Sequence, residues 1–339
     1  MTRPDNPFLT AARGGRPSRR PLWIMRQAGR YLPEYRAVRQ RLSFLEMCGD
    51  PDAAAEVTLQ PLRRFDLDAA ILFTDLLVPV PPMGIGLGYQ PEPVLARTVR
   101  SDADIGSLRV PDPERDLKPM LQAARKVRDE LPADKALLGF VGAPFTMACY
   151  LVEGRGSKQW NVVRRFLHEQ PRSFTALLER ITQALEPLVD ALVANGCDGI
   201  QIFDSWANVL AGSDYEALCA PFTERLLARA RRSGAVAIDY VNGAFQHLPA
   251  MARSSAHMLA VDWRHRIDEF RERMPEAMAL QGNLDPTALF LDDARLRAAV
   301  AAICRAAGDG AHVFNLGHGI LPETDPRKVA IVVDEVHRC

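Results

Sequence analysis

The chain has 339 residues, of which 47% are hydrophobic and 25% are charged, a composition typical of a soluble globular protein with a large apolar core. Its formal net charge is zero, which argues against a broad electrostatic surface for nucleic acid or an anionic membrane. No apolar stretch is long enough to span a bilayer or to act as a secretory signal, and the 6 cysteines form no CxxC pair. Because irregularly spaced cysteines in a chain of this length favour reduced thiols, we expect a cytoplasmic protein.

The succession of apolar and amphipathic segments predicts an α/β fold. Residues 1–20 are polar and rich in Pro, Gly and Arg, so we expect a flexible N-terminal arm ahead of one catalytic domain at 21–339. Amphipathic segments with helical periodicity alternate with short apolar runs, which is the pattern of parallel βα repeats with strands buried on both faces. The repeats predict a single (β/α)8 TIM barrel, with a doubly wound open sheet as the alternative. The predicted strands are 22–25, 69–73, 136–141, 199–203, 235–241, 258–261, 278–280 and 312–316.

Residues 79–93 are rich in Pro and Gly and contain the sequence GIGLG at 84–88. A dinucleotide-binding loop has a different glycine spacing and opens directly into a helix, whose N-terminus receives the pyrophosphate. No helical pattern follows here, so we interpret the segment as a β-hairpin or loop insert after the second strand.

Distinctive polar side chains follow several of the predicted strands. The C-terminal ends of barrel strands form the face on which barrel enzymes carry their active sites. The clustering therefore indicates an enzyme. The side chains are Arg26 and Arg30 after the first strand, Asp75 after the second, Tyr150 beyond the third, Ser205 after the fourth and His318 after the eighth.

The residue types at these strand ends narrow the chemistry. They include no lysine for a Schiff base, no His/Cys cluster with metal-ligand spacing, and no GxSxG elbow around Ser205. Arginine binds carboxylates through its planar fork, and Arg26 and Arg30 would point into one cleft if a helix followed the first strand. An exposed helix face with local ion pairs explains the same spacing. From the residues alone we expect a barrel enzyme for an anionic substrate, such as a polycarboxylate or a sugar phosphate.

Five longer segments together resemble the signatures of the uroporphyrinogen decarboxylase family. They occur in family order and span nearly the whole chain, which makes the resemblance highly specific. That family has a (β/α)8 barrel and acts as a homodimer. The segments are PLWIMRQAGRYLPEY at 21–35, GFVGAPFTM at 139–147, QIFDSWA at 201–207, QGNLDP at 281–286 and FNLGHGI at 314–320.

The resemblance implies a carboxy-lyase of tetrapyrrole and haem biosynthesis. Its members convert uroporphyrinogen III to coproporphyrinogen III and CO2 by turning four acetate side chains into methyl groups, without a metal or an organic cofactor. In this sequence Arg26 and Arg30 are then expected to bind substrate carboxylates. The backbone of Gln27, Ala28 and Gly29 is expected beside them.

The resemblance also implies where catalysis occurs. Asp75 would accept hydrogen bonds from the pyrrole N–H groups, while Tyr150, Ser205 and His318 would contact side-chain carboxylates. Loss of CO2 needs an electron sink, and a protonated pyrrole ring supplies one that the Asp75 carboxylate would stabilise. The proton that replaces CO2 would come from Arg30 or from water, and an arginine is a poor acid.

Two features depart from the family pattern, and three other functions compete. Asn208 stands where the family usually has Gly, and the 79–93 segment is individual. A corrinoid-linked methyltransferase would need a zinc held by His and Cys, but residues 240–243 (YVNG) offer no His-x-Cys. A non-catalytic tetrapyrrole-binding protein would not need Asp75. A sugar-phosphate enzyme would not need the five signatures.

Overall fold

The computed structural model describes residues 6–339. Seven of the strands in this part of the chain form one curled parallel sheet, in which each strand pairs with the next along the chain. The other two strands, β2 and β3, form a separate antiparallel hairpin. The strands are β1 (Ala69–Ile71), β2 (Leu87–Tyr89), β3 (Pro93–Leu95), β4 (Ala136–Gly142), β5 (Gly199–Asp204), β6 (Val236–Val241), β7 (Met258–Ala260), β8 (Ala279–Leu284) and β9 (His312–Leu316).

Helices pack around the outside of the sheet. Helical periodicity in the sequence predicts helices at 117–131, 174–194, 217–231, 288–307 and 326–337, and each of these segments contains a helix. The segment at 217–231 differs in that it begins within the π-helical turn Tyr215–Cys219. No helix within residues 6–339 has the length and apolar character needed to cross a bilayer. The α-helices are α1 (Pro7–Ala12), α2 (Pro33–Arg39), α3 (Phe44–Gly49), α4 (Pro51–Arg64), α5 (Asp102–Gly106), α6 (Pro113–Asp116), α7 (Lys118–Glu130), α8 (Pro144–Glu153), α9 (Asn161–Glu169), α10 (Pro171–Ala194), α11 (Gly212–Asp214), α12 (Ala220–Arg232), α13 (Leu248–Met251), α14 (Ile267–Arg271), α15 (Asp293–Ala307) and α16 (Pro326–Arg338).

Alternation along the strands divides the core into two layers. In β5, Ile200 and Ile202 pack under the helices, while Phe203 faces the barrel interior. Buried amides also fill the interior: Gln281 Nε2 donates to Gln201 Oε1 at 3.1 Å, and Trp23 Nε1 donates to Gln281 Oε1 at 2.9 Å. The barrel interior is therefore filled by side chains and forms a packed core.

The eighth position of the barrel is irregular. The predicted strand at 22–25 is wrong as a regular strand, because only a parallel bridge between Leu22 and Phe314 of β9 is formed. On the other side, the N–H of Asp68 donates to the carbonyl of Leu22 at 2.8 Å. Segment 22–25 thus joins the two edge strands of the sheet. The α/β barrel prediction is confirmed with seven regular strands in residues 6–339 and this segment in the remaining place.

The arm predicted at residues 1–20 contains a packed helix. Residues 1–5 lie outside the described part of the chain, but α1 buries Phe8 and Ala12 completely against the barrel interior. Gly14 lies against the carbonyl of Ala277, just before β8, so α1 covers the N-terminal end of the barrel. Arg19 is anchored by an ion pair of 2.7 Å with a buried carboxylate. The expectation of a flexible arm is therefore wrong for these residues, because apolar contacts and this ion pair hold them to the barrel.

The Pro/Gly-rich segment at 79–93 forms a hairpin, as predicted. Strand β2 pairs antiparallel with β3, with Tyr89 opposite Pro93. The ring of Tyr89 packs edge-on against Phe44 of α3, with 5.1 Å between the ring centroids. The insert therefore carries Tyr89 back toward the C-terminal end of β1.

Candidate active site at the C-terminal end of the barrel

The structure places the predicted site residues at one end of the barrel. Asp75 follows β1, Ser205 follows β5 and His318 follows β9, while Tyr150 lies on α8 directly after β4. Because the strands are parallel, their C-terminal ends share one edge of the sheet. The opposite end is covered by α1, so this edge is the open one.

The segment that carries Arg26 is held in an unusual conformation. The N–H of Met25 donates to Asn315 Oδ1 at 2.8 Å, and the carbonyl of Met25 accepts from the N–H of Ile320 at 2.9 Å. The next residue, Arg26, has φ of 63°, in the left-handed region that non-glycine residues rarely adopt. Such a conformation persists only where neighbouring contacts enforce it, and it is common at functional sites.

The helix expected to place Arg26 and Arg30 on one face is absent. Turns occupy residues 26–32, and α2 begins only at Pro33. The i, i+4 argument for a shared cleft is therefore wrong. The Arg30 side chain is exposed. Burial raises the pKa of Tyr35 on α2, and the charge of Arg30 opposes that rise. A role for Arg30 in binding substrate stays a prediction.

The Arg26 side chain reaches the middle of the site. It crosses Gly319, where a Cβ atom would lie 2.8 Å from both Cγ and Nε of Arg26. Burial raises the pKa values of Asp75 and Tyr150 and lowers that of His318; the positive charge of Arg26 opposes the first two shifts and adds to the third. One guanidinium group thus acts on three of the predicted site residues.

The turn after Arg26 combines a structural side chain with free backbone donors. Gln27 is fully buried, and its Oε1 accepts from the N–H of Ile24 at 3.0 Å. The Gln27 side chain is therefore committed to the fold. The N–H groups of Ala28 and Gly29 donate no hydrogen bond to any residue in 6–339, so they are the part of this turn that can meet an anion.

Asp75 is a partly buried carboxyl group under opposing influences. Burial raises its pKa above the usual value for aspartate. The Tyr89 side chain, the N–H of Leu77 and the positive charge of Arg26 act in the opposite direction by favouring the carboxylate. The N–H of Leu77 donates to Asp75 Oδ1 at 2.9 Å. The carboxylate is thus oriented by the backbone and lies within the influence of the Arg26 charge.

Tyr89 is a residue of this site that the sequence did not reveal. Its hydroxyl group is buried, acts on Asp75, and makes no well-formed hydrogen bond with residues 6–339. Burial and the negative charge of Asp75 raise the pKa of Tyr89, so the phenol stays protonated. The only sequence signal was its position after the glycine-rich turn, since β2 and β3 must pair before Tyr89 reaches Asp75.

Tyr150 belongs to an aromatic wall beside Asp75. Its ring packs edge-on against Trp160, at 5.2 Å between centroids, and against Trp206, at 6.3 Å. Burial raises the pKa of Tyr150 to about 12, and the charge of Asp75 adds to the rise. Tyr150 is therefore a hydrogen-bond donor at neutral pH.

Ser205 is joined to the far side of the opening through a chain of hydrogen bonds. Its carbonyl accepts from Asn242 Nδ2 at 3.2 Å, and Asn242 Oδ1 accepts from Arg264 Nη1 at 2.9 Å. The ends of β5, β6 and β7 are connected in this way. Ser205 was expected in the site from the sequence, whereas no sequence signal pointed to Arg264.

His318 is neutral in this environment. Burial and the positive charges of Arg26 and Arg264 lower the pKa of His318 to about 4. Its ring packs edge-on against Trp263, with centroids 6.1 Å apart. A neutral imidazole beside two guanidinium groups can donate a hydrogen bond to an anion without adding positive charge.

Two buried aspartates, Asp204 and Asp239, lie behind this site, between the sheet and the helices. Asp204 Oδ1 accepts from Thr146 Oγ1 at 2.7 Å. Asp204 Oδ2 and Asp239 Oδ1 have no hydrogen-bond partner within residues 6–339. Burial raises the pKa of Asp204 to about 7 and that of Asp239 to about 8, and the charge of Asp204 adds to the rise at Asp239. Both face away from the barrel interior, so they support the site from outside its opening.

Residues 6–339 offer no set of ligands for the zinc ion that a corrinoid-linked methyltransferase would need. Within residues 6–339 no group of three or more His, Cys, Asp or Glu side chains is arranged to hold a metal ion. His247 instead pairs its Nε2 with the carbonyl of Ala207 at 2.9 Å. It therefore serves the packing under β5 and β6.

Comparisons with solved structures show the fold. A methyltransferase from Methanosarcina mazei superposes with a TM-score of 0.81 over 97% of each chain, at 19% identity. A B12-independent methionine synthase from a Shewanella species gives a TM-score of 0.59 at 10% identity, over 94% of this chain and 93% of its own. At such identities the likeness concerns the barrel architecture.

Comparisons of sequence are more specific. Proteins named uroporphyrinogen decarboxylase are 45% identical in Trichlorobacter lovleyi, 42% in Geobacter sulfurreducens and 44% in Myxococcus xanthus. Each alignment covers 98% of this chain and 95% or more of the relative. The sequence model of the uroporphyrinogen decarboxylase (URO-D) family matches residues 3–339. With the five signatures and this arrangement of Arg26, Asp75 and His318, the chain belongs to the uroporphyrinogen decarboxylase family.

Proposed function

We propose that this protein is a carboxy-lyase that converts uroporphyrinogen III to coproporphyrinogen III and CO2, with no metal or organic cofactor. The observation that carries the proposal is that Asp75 lies within the influence of the Arg26 charge at the C-terminal end of a barrel belonging to this family. A carboxylate facing a guanidinium group suits a ligand that has N–H donors at its centre and carboxylates at its edge.

Asp75 would act on the centre of the macrocycle. Its carboxylate accepts hydrogen bonds from the pyrrole N–H groups. When a pyrrole ring is protonated, the ring takes the electron pair of the breaking C–C bond as CO2 leaves. The negative charge of Asp75 stabilises that cationic ring electrostatically. A proton then reaches the new methylene carbon to complete the methyl group, and the ring releases the proton it had taken up, which restores the neutral pyrrole.

The other residues of the site would bind carboxylates. Arg26 supplies a permanent charge, while Tyr150 and the neutral His318 supply hydrogen-bond donors. Ser205 would donate from its hydroxyl group at the end of β5. With a pKa of about 12 for Tyr150 and about 4 for His318, neither is a ready proton donor at neutral pH.

Location and assembly are further parts of the proposal. All six cysteines are unpaired and five of them are buried, which suits a reducing cytoplasm. Family resemblance is the support for a homodimer. Light scattering coupled to gel filtration would test that state, since a molar mass near that of one 37.6 kDa chain would contradict it.

The reaction is tested by incubation with anaerobically reduced uroporphyrinogen III in the presence of EDTA. Products are separated by the number of carboxyl groups that remain, and CO2 is trapped. We expect a series of products that ends at the four-carboxyl species. A substrate that keeps all its carboxyl groups, or an activity abolished by the chelator, would contradict the proposal.

A further inference from the structure

Arg264 lies four residues beyond the end of β7, at the open end of the barrel, and has no role in the mechanism above. Its side chain is 43% exposed, although several contacts hold it in place. The guanidinium carbon lies 4.4 Å from the centroid of the Trp263 ring. An arginine held over an aromatic ring loses less conformational entropy on binding a ligand than a free one.

One edge of the Arg264 guanidinium group is already bound. Its Nη1 donates to Asn242 Oδ1 at 2.9 Å and lies 3.1 Å from Asp262 Oδ1. Nε and Nη2 make no hydrogen bond with any residue in 6–339. These two atoms form a side-on fork that matches the two oxygens of a carboxylate.

Asp262 does not occupy that fork. This fully buried carboxylate serves mainly the backbone: Oδ2 accepts from the N–H groups of Gly243 and Ala244 at 2.9 and 3.0 Å. Its Oδ1 accepts from the N–H of Arg264 itself at 2.9 Å. Asp262 thus fixes the loop that presents Arg264 and meets the guanidinium group through Nη1 alone.

The position of Arg264 places its free edge within the site. Through Asn242 it is linked to Ser205, and through Trp263 it is next to His318. Together with Arg26 it lowers the pKa of His318, so two positive charges act on that imidazole. Carboxylates spread around a macrocycle need cations at several points of the rim.

We propose that Arg264 binds a carboxylate of the substrate through its Nε and Nη2 edge, at the same end of the barrel as Arg26 and His318. This inference rests on the proposed function and adds a third arginine to the set of expected substrate contacts. Arg264 is then a determinant of affinity for the polycarboxylate, and it stays bound to the ligand through the reaction.

The test compares Arg264→Gln with Arg266→Gln, measured with reduced uroporphyrinogen III. Arg266 lies two residues further on, is exposed, and pairs with Asp268 on α14, so it is a matched control. We expect Arg264→Gln to raise KM about tenfold with kcat within about threefold, as for loss of one charged hydrogen-bonded contact. Arg266→Gln should leave both constants unchanged.

Two further measurements separate binding from a structural role. Arg264→Lys keeps the charge but not the fork, so it should recover part of the lost affinity. The rise of KM with ionic strength should be shallower in Arg264→Gln, because one charge contact is missing. Loss of the Asn242 contact alone would leave that slope unchanged. If the wild type turns over the substrate but Arg264→Gln and Arg266→Gln have equal KM values, the inference is overturned. A wild-type protein that releases no CO2 would instead overturn the proposed function.

Discussion

The Arg26 side chain, which carries the central positive charge of the site, passes directly over the backbone of Gly319. Glycine has no side chain, so nothing at position 319 obstructs it. A Cβ atom at position 319 would lie 2.8 Å from Cγ of Arg26, closer than such atoms approach in proteins. The glycine between His318 and Ile320 thus keeps open the path by which Arg26 reaches its place. A larger residue at position 319 would therefore displace Arg26 and change the electrostatic environment of Asp75.

Gly319→Ala should weaken substrate binding. The added methyl group pushes the Arg26 side chain aside, and we expect KM to rise about five- to tenfold with little change in the free energy of unfolding. Steady-state kinetics and urea unfolding measure the two effects. Gly106→Ala, at a position with open space around it, is the control. Equal KM values for both variants would show that Gly319 does not position Arg26.

Asp75→Asn should separate binding from turnover. The amide keeps the shape of the side chain but removes the negative charge that stabilises a protonated pyrrole, so kcat should fall at least about a hundredfold. Affinity for the product should change by much less, because the carboxylate-binding groups remain. Fluorescence titration with coproporphyrinogen, together with single-turnover kinetics, measures both. Turnover near the wild-type rate would contradict the role assigned to Asp75.

Tyr89→Phe should move the pH dependence of turnover. Tyr89 lowers the pKa of Asp75, so its removal raises that pKa and shifts the acid limb of kcat/KM to higher pH. On the alkaline side of that limb, the rates of the two proteins should agree within about threefold. Tyr31→Phe is the control, since it also removes a buried, unpartnered hydroxyl group, next to Glu34 and Arg64. Superimposable pH profiles for Tyr89→Phe and wild type would exclude this positioning role.

His318 should remain neutral throughout the physiological range. Its pKa of about 4 lies below the ordinary value of 6.5, so the unfolded chain binds more protons between these limits. The contribution of His318 to stability is therefore complete above pH 6.5 and is lost as the pH falls through 4. An NMR titration of the imidazole Cε1–H signal, assigned with His318→Gln, measures the midpoint. A midpoint above 6 would mean that the imidazole is charged in the site.

Asp239 should make the protein less stable in alkaline solution. Its folded-state pKa of about 8 is above the ordinary 3.8, so the folded chain holds its proton more tightly, and that stabilisation is lost as the pH rises from about 4 through 8. Asp239→Asn removes this titration. Between pH 5 and 9 its free energy of unfolding should therefore fall by several kcal/mol less than that of the wild type. Asp129→Asn, at an exposed position on α7, is the control. Parallel pH profiles for the two variants would contradict the buried, protonated Asp239.

The sequence predicted the regular parts of the barrel well because apolar runs define buried strands directly. The predicted strand at 312–316 coincides with β9. Segment 22–25 is equally apolar but bridges only through Leu22, because the N–H of Met25 is taken by the Asn315 side chain. Such a long-range contact between side chain and backbone leaves no periodic signal in the sequence.

The helix α1 was missed for a different reason. The polar composition of residues 1–20 concealed a local signal: Asn6 is followed by Pro7, a pairing that marks the start of a helix. In the structure Asn6 Oδ1 accepts from the N–H of Leu9 at 3.0 Å. A window of twenty residues was too coarse to resolve a helix of 6 residues.

The candidate site was predictable where motifs carried it and not elsewhere. Asp75 and His318 came from strand ends and from the family signatures. Arg264 stands past Asp262 and Trp263 in a stretch with no signature, and its importance depends on contacts with Asn242 that only the folded chain reveals. Residues that matter through packing against other strand ends are invisible to spacing arguments.

The placement of α1 limits the routes by which ligands can enter and leave the site. Within residues 6–339, α1 and Phe8 close the N-terminal end of the barrel, which leaves the C-terminal rim as the route to the site. On the proposed function, each acetate must reach Asp75 from the same side. Successive reactions then require the macrocycle to rotate within the site or to leave it and bind again in a new orientation. The order in which the four groups react becomes a question of how fast the ligand turns relative to how fast it escapes.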